Sequence, residues 1–214
     1  MKQRFTVNFL SHSGGNMHFD YKNDAPIAQG TENFISRALL CLHRDTFMGA
    51  QAASLAVITD GSTRCDPQAL YRLPASALPK YKRGMVRELR DAAGGYVCHR
   101  MFFSSLGGSG MIGEMARARI CKSFSGCERF RYEFVQKAKA SPGCGFLWIA
   151  EESMRRGGAL HILFTPGNRL LPPNFLPLMC LDMWEHSYCV RYGADRGAYA
   201  AAFLGAARWE LLER

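Results

Sequence analysis

The stretch Leu181-Asp182-Met183-Trp184-Glu185-His186-Ser187-Tyr188 carries the reading from which the fold of this chain follows. It comes after a short apolar run, Leu176 to Leu181, that reads as a buried strand. It precedes a segment rich in Tyr and Ala that reads as helix. Asp182 and His186 therefore flank a strand-to-helix corner. A carboxylate and an imidazole are both good metal ligands and good acid–base groups. One Asp-x-x-x-His pair is more often an ordinary structural feature than a site, so its meaning depends on the rest of the chain.

Working outward, 214 residues are enough to bury a real core, as one large domain or two small ones. The 48% of apolar residues excludes a disordered sequence. No apolar run reaches the roughly 18 residues of a membrane span. The longest, Ala50 to Ile58, is interrupted by Gln51 and Ser54. No membrane partner is therefore expected.

The formal charge is +9, from 27 Lys+Arg against 18 Asp+Glu. Such an excess points to an anionic partner, nucleic acid among them, and is also compatible with a basic soluble protein that has none. The basic residues are spread over Lys80–Arg90, Arg117–Arg131, Arg155/Arg156 and Arg208–Arg214 rather than gathered in one tail. None of the eight cysteines forms a C-x-x-C pair, and several lie in apolar runs. That pattern suggests a reducing compartment and no disulfide framework. Met1 to His18 carries Lys2 and Arg4 and no acid. It has the flavour of an organelle-targeting segment, with an ordinary basic extension as the alternative.

Taken in order, residues 1–30 read as an extension with few regular elements. A helical domain is expected over 31–108. Its first helix opens at Thr31-Glu32-Asn33 and runs to about Ala56, with Ile35, Leu39, Leu42, His43, Phe47 and Gln51 at spacings of three and four. Pro67, Pro74 and Pro79 leave residues 59–79 mostly irregular. A second long helix starts near Tyr81. Gly94-Gly95 weakens it, and it continues or restarts through Tyr96 to Phe103, with His99 in an apolar context. Gly107-Gly108-Ser109-Gly110 matches no phosphate-binding motif and reads as a flexible linker at a domain boundary.

The second domain, 111–214, opens with helices at about 112–122 and 127–139. Ser125 is expected to cap the latter, supported by Glu128. Three short strands follow, 145–151, 159–164 and 176–182, the first two joined by a hairpin-like connection at Met154 to Gly158. A last helix over 197–207 leads into a basic tail. The expected class is α+β, a helical hairpin followed by an α/β domain around a three-stranded antiparallel sheet.

Four candidate ligands emerge, His43, His99, Asp182 and His186, from two helices, a strand end and the turn after it. Three imidazoles and one carboxylate suit iron or manganese with an open position. Zinc is a further possibility for a His/Asp set, as is no metal at all.

The chain resembles the iron/manganese superoxide dismutase family. Asp182 to Tyr188 is similar to the family signature D-x-W-E-H-x-Y. Ile120 to Ser125 with Phe130 and Phe134 resembles its third and fourth helices, and Gly143 to Trp148 its G-S-G-W-x-W strand entry. Tyr192, Arg196, Tyr199, Phe203 and Trp209 resemble its C-terminal helix. The resemblance implies that His43, His99, Asp182 and His186 hold the metal, which cycles between two oxidation states while oxidising and reducing superoxide.

Around that set the sequence departs from the family. Gln51 stands at the position of the gateway tyrosine and Phe47 at that of a histidine. Cys189 stands for the second tyrosine of a pair, Gly95 for a glutamine that hydrogen-bonds the metal-bound solvent, and Phe146 and Phe103 for other aromatics of the pocket. Asn168 is the nearest alternative amide. In the family the histidine and tyrosine replaced here by Phe47 and Cys189 bond each other across a dimer interface, and Glu185 reaches the partner's ligand histidine. Losing both members of a pair leaves neither polar group unpaired. The resemblance therefore implies a heterodimer with a related dismutase-like chain. It leaves two expectations. One is a structural component of the mitochondrial small ribosomal subunit, contacting ribosomal proteins and rRNA, with catalysis lost. The other is an active, divergent superoxide dismutase.

Overall fold

The computed structural model describes residues 19–59, 66–152 and 158–213. Nine α-helices, three strands and several 3₁₀ turns are described, the first helices being α1 Tyr21–Asp24, α2 Arg37–His43, α3 Gly49–Thr59, α4 Pro67–Tyr71 and α5 Val86–Ser104. The bounds of the later elements are α6 Glu114–Phe124, α7 Cys127–Ala140, β1 Gly145–Glu152, β2 Leu160–Pro166, β3 Phe175–Asp182, α8 Glu185–Tyr192 and α9 Arg196–Ala206. The α+β architecture matches the expectation. No helix among the described residues is long and apolar enough to cross a membrane.

The first helix does not open at Thr31. Thr31 to Phe34 forms a turn, and α2 begins at Arg37 because Ser36 adopts extended backbone and its hydroxyl accepts from Leu39 N. A five-residue π turn, Arg44–Met48, then separates α2 from α3. Its wider winding changes the phase of the helix directly after His43. The 3₁₀ turn Lys80–Met85 leads into α5. Lys82 is buried there and donates to Ile58 O at 2.8 Å, closing the carboxyl end of α3.

Helix α5 runs unbroken through Gly94-Gly95. A Cβ at Gly94 would overlap the carbonyl oxygen of Asn168, so the bare backbone lets the loop after β2 lie directly on the helix. His43 approaches His99 and Gln51 approaches Gly95, so rising numbers on one arm meet falling numbers on the other and the hairpin is antiparallel. The end of the N-terminal segment belongs to this layer. Ala25 is fully buried, Tyr96 donates to Asp24 Oδ2 at 2.6 Å, and Phe19 meets the Tyr96 ring edge-on. Residues 1–18 lie outside the described residues.

The sheet has the order β2-β1-β3, antiparallel throughout. Its central strand is buried along nearly its whole length, as a strand covered on both faces must be. Phe146 pairs with Asp182, and a bulge between Ile149 and Ala150 shifts the register. The hairpin-like connection between β1 and β2 falls mostly outside the described residues. Ser125 is not the cap of α7. It ends α6 in the left-handed conformation, φ 60°, and Gly126 takes the cap position.

Gly107 to Gly110 is not a flexible linker. Gly107 N and Gly108 N donate to Ala206 O, Arg208 N donates to Ser105 O, and Leu106 pairs with Ala207. The junction between the two halves is thus pinned by the end of the chain. That end is no free tail, since Trp209, Leu211 and Leu212 are buried. An aromatic chain of Phe34, Tyr199, Phe203 and Phe134 joins the hairpin to α7 and α9.

Candidate metal centre

Three of the four residues sit at the end of an element, and the fourth lies within a long helix. His43 is the last residue of α2, His99 lies on the buried face of α5, Asp182 ends β3, and His186 is the second residue of α8. Their donor atoms all lie within 4.8 Å of one another. Asp182 Oδ2 is the hub, 3.1 Å from His43 Nε2 and 3.4 Å from both His99 Nε2 and His186 Nε2. The His43 and His186 Nε2 atoms are 3.2 Å apart.

The carboxylate is aimed by its other oxygen. Asp182 Oδ1 accepts from Trp184 N at 2.8 Å, which turns Oδ2 toward the histidines. The backbone carbonyl of Asp182 accepts from the buried Tyr199 hydroxyl at 2.8 Å. Burial alone would push the Asp182 carboxyl up, but the imidazoles of His186, His43 and His99 gathered around Oδ2 outweigh it and hold the group well below the usual carboxylate range. Burial lowers His43 to about 4, against the raising effect of its bond to Asp182. The carboxylate is thus ionised and the His43 imidazole neutral at neutral pH, the states that ligation needs.

Aromatic rings wall the cluster. Phe102 stacks on His43 at 5.5 Å, Phe103 meets its edge at 5.4 Å, and Phe146 stands edge-on to His99. Phe47 lies against His186, with Trp184 on the same ring. Phe102 has a sequence signal, the V-x-H-x-x-F run from Val97 to Phe102: it lies three residues after His99, hence on the same helix face. Cys98 and Cys180 are fully buried near the centre, and burial pushes both thiols well up, so they stay neutral.

The donor set fits a metal ion. Ligand bonds of about 2 Å leave neighbouring donors roughly 3 to 4 Å apart, the spacing seen here. His99 Nε2 and Asp182 Oδ2 are buried without a geometrically sound hydrogen-bond partner, as expected of atoms whose partner is a cation. Iron, manganese and zinc all accept this chemistry.

The remaining candidates are placed as follows. Gly95 has no side chain to offer, but its carbonyl accepts from His99 Nδ1 at 2.9 Å. Gln51 Oε1 lies 3.0 Å from the same nitrogen. The Asn168 carboxamide lies over Gly95, its Oδ1 buried and unpartnered. Glu185 and Cys189 are exposed on α8. Gln51, Phe47 and Asn168 line an open cleft of about 1350 Å³, together with Arg87, Arg90, Arg169, Glu88 and Asp91.

Residues 112–214 match the model of the iron/manganese superoxide dismutase C-terminal domain. Among curated proteins, the chain is 28% identical over 177 residues to a superoxide dismutase (Fe) of Cupriavidus metallidurans, covering 82% of this chain and 85% of that protein. It is 31% identical over 137 residues to a superoxide dismutase (Fe) of Methanothermobacter marburgensis, covering 62% and 67%. With a superoxide dismutase (Mn) of Thermus thermophilus it shares 29% over 129 residues, covering 58% and 61%.

Proposed function

The chain belongs to the iron/manganese superoxide dismutase family, and from that premise we propose that it is a structural subunit that keeps the family's metal centre and has lost turnover. Its setting in this reading is the mitochondrial small ribosomal subunit, beside a related dismutase-like chain.

The observation that carries the reading is the contrast between the ligands and their surroundings. His43, His99, Asp182 and His186 would hold iron or manganese, which in an active enzyme supplies the electron taken from one superoxide and given to the next. Among the described residues, side chains that do not carry protons stand beside the donor histidines. Phe47 presents a hydrocarbon ring to His186, and Gln51 engages His99 with a carboxamide that does not titrate. Cys189 stands where a second tyrosine would serve an interface. Without a proton source, reduction of superoxide to peroxide is the half-reaction that suffers.

The charge of +9 supports a polyanionic neighbour. Arg117, Lys122, Arg129, Arg131, Lys137 and Lys139 are exposed on α6 and α7, where rRNA phosphates could meet them. The exposed Glu185 and Cys189 lie together on α8 with Val190, which is 75% exposed, a surface suited to a partner chain.

The complete donor set, with a nearby cleft lined by Arg87, Arg90 and Arg169 against Glu88 and Asp91, favours a second reading, an active and divergent superoxide dismutase with electrostatic steering of the anion. Sucrose-gradient sedimentation separates the two. Co-migration with the mitochondrial small subunit, iron or manganese near one per chain and no dismutase activity is the expected result. A free pool with activity would establish the second reading instead.

A further inference from the structure

His99 is held from two sides by oxygen acceptors. Its Nδ1 lies 2.9 Å from Gly95 O on its own helix and 3.0 Å from Gln51 Oε1 on the opposite arm. Both oxygens can only accept, so Nδ1 carries the proton. In a neutral imidazole Nε2 is then the lone-pair nitrogen. That nitrogen is buried and faces Asp182 Oδ2 at 3.4 Å.

The second acceptor requires the glycine. A Cβ at Gly95 would overlap Gln51 Nε2 and come within 3.1 Å of Asn168 Cγ. The Gln51 carboxamide thus occupies the space that any side chain at 95 would claim. The opposite orientation of the carboxamide would set two N–H donors against each other.

We propose that Gln51 is a positioning residue of the metal centre: seated in the space left by the bare backbone of Gly95, it fixes the Nδ1–H tautomer and the ring orientation of His99, and so presents Nε2 to the cation. The inference rests on the reading of the four donors as a metal site. Outer hydrogen-bond partners of metal-bound histidines orient the ring and raise its basicity, and their loss costs about 10- to 100-fold in metal affinity.

The test uses the full chain, stripped of metal and titrated with Mn(II) and, anaerobically, Fe(II). Gln51→Met keeps length and bulk but removes the acceptor, and its dissociation constant should rise about tenfold or more. Gln51→Glu restores an acceptor oxygen and should recover most of the loss. Gly95→Ala displaces the carboxamide from the other side, so it should weaken binding in the parent and add little in the Gln51→Met background. In the metal-free protein the ¹⁵N-edited resonance of the His99 Nδ1–H should shift and exchange faster with water in Gln51→Met. An unchanged dissociation constant with an unchanged His99 resonance would overturn the proposal, as would additive effects of the two substitutions. A parent chain that takes up neither metal would instead refute the metal reading, and the His99 resonance would still decide the role of Gln51.

Discussion

The ring of Phe47 lies flat on the imidazole of His186, with centroids 3.7 Å apart and planes 14° from parallel. One imidazole of the cluster thus has a hydrocarbon ring packed on its face, beside the polar contacts of its Nε2. Phe47→Ala should free the His186 ring, cost about 1–2 kcal/mol in a urea titration and weaken metal retention against a chelator. Equal stability and equal retention would show that the stacking does not hold the ligand.

Asp182 makes the centre anionic, so its charge is the component a cation needs most. Asp182→Asn keeps the size of the side chain and removes the charge. Metal content after purification should fall from near one per chain to a small fraction. Thermal melts with and without added metal should then coincide in the variant. In the parent, metal at a hundredfold excess over its dissociation constant adds about 2.7 kcal/mol. A metal-dependent melt in Asp182→Asn would count against the assignment.

Acid should destabilise the metal-free protein through His43. Its folded value of about 4 lies below the unfolded 6.5, so the unfolded chain binds the proton first. Stability is full above pH 6.5 and is lost as pH falls toward 4, by up to about 3 kcal/mol from this group. Asp182, also depressed, loses its share only at lower pH. Urea midpoints of the parent and of His43→Gln over this window provide the check; parallel curves would contradict the His43 contribution.

Two glycines make a contrast of packing. Gly94→Ala drives a methyl group into the backbone carbonyl of Asn168, which cannot swing aside as a side chain would. A loss of about 2 kcal/mol or more is expected, with the loop after β2 lifted from α5. Gly205, exposed on α9, has no heavy atom within 4 Å of an added Cβ, and Gly205→Ala should be neutral or stabilise by up to about 1 kcal/mol. Thermal unfolding of the two variants side by side is sufficient.

Much of this was readable before the fold was known. The Asp182 to Tyr188 corner was legible because strand, turn and helix follow each other within one short stretch. His43 and His99 were legible as inward-facing helix residues. The details were hidden where a residue's role depends on a distant neighbour. Gly94-Gly95 reads locally as a weak point in a helix, yet both glycines answer to Asn168 and Gln51 on other elements. Gly107 to Gly110 reads as a flexible linker, and what ties it down is Ala206 to Arg208, about a hundred residues away. Ser125 reads as the cap of α7, and only its left-handed backbone shows that it ends α6 instead.

The π turn at Arg44–Met48 makes residue count itself part of the site. On an unbroken α-helix, positions eight apart point about 80° away from each other. Here His43 and Gln51 both reach α5, one beside His99 and one onto its ring nitrogen. Deleting a single residue from that turn would remove no ligand, yet it would rotate everything after it by about 100°. Chain length between these two side chains is therefore under as strict a constraint as their identity, since an insertion or deletion there would separate Gln51 from His99 as surely as replacing it.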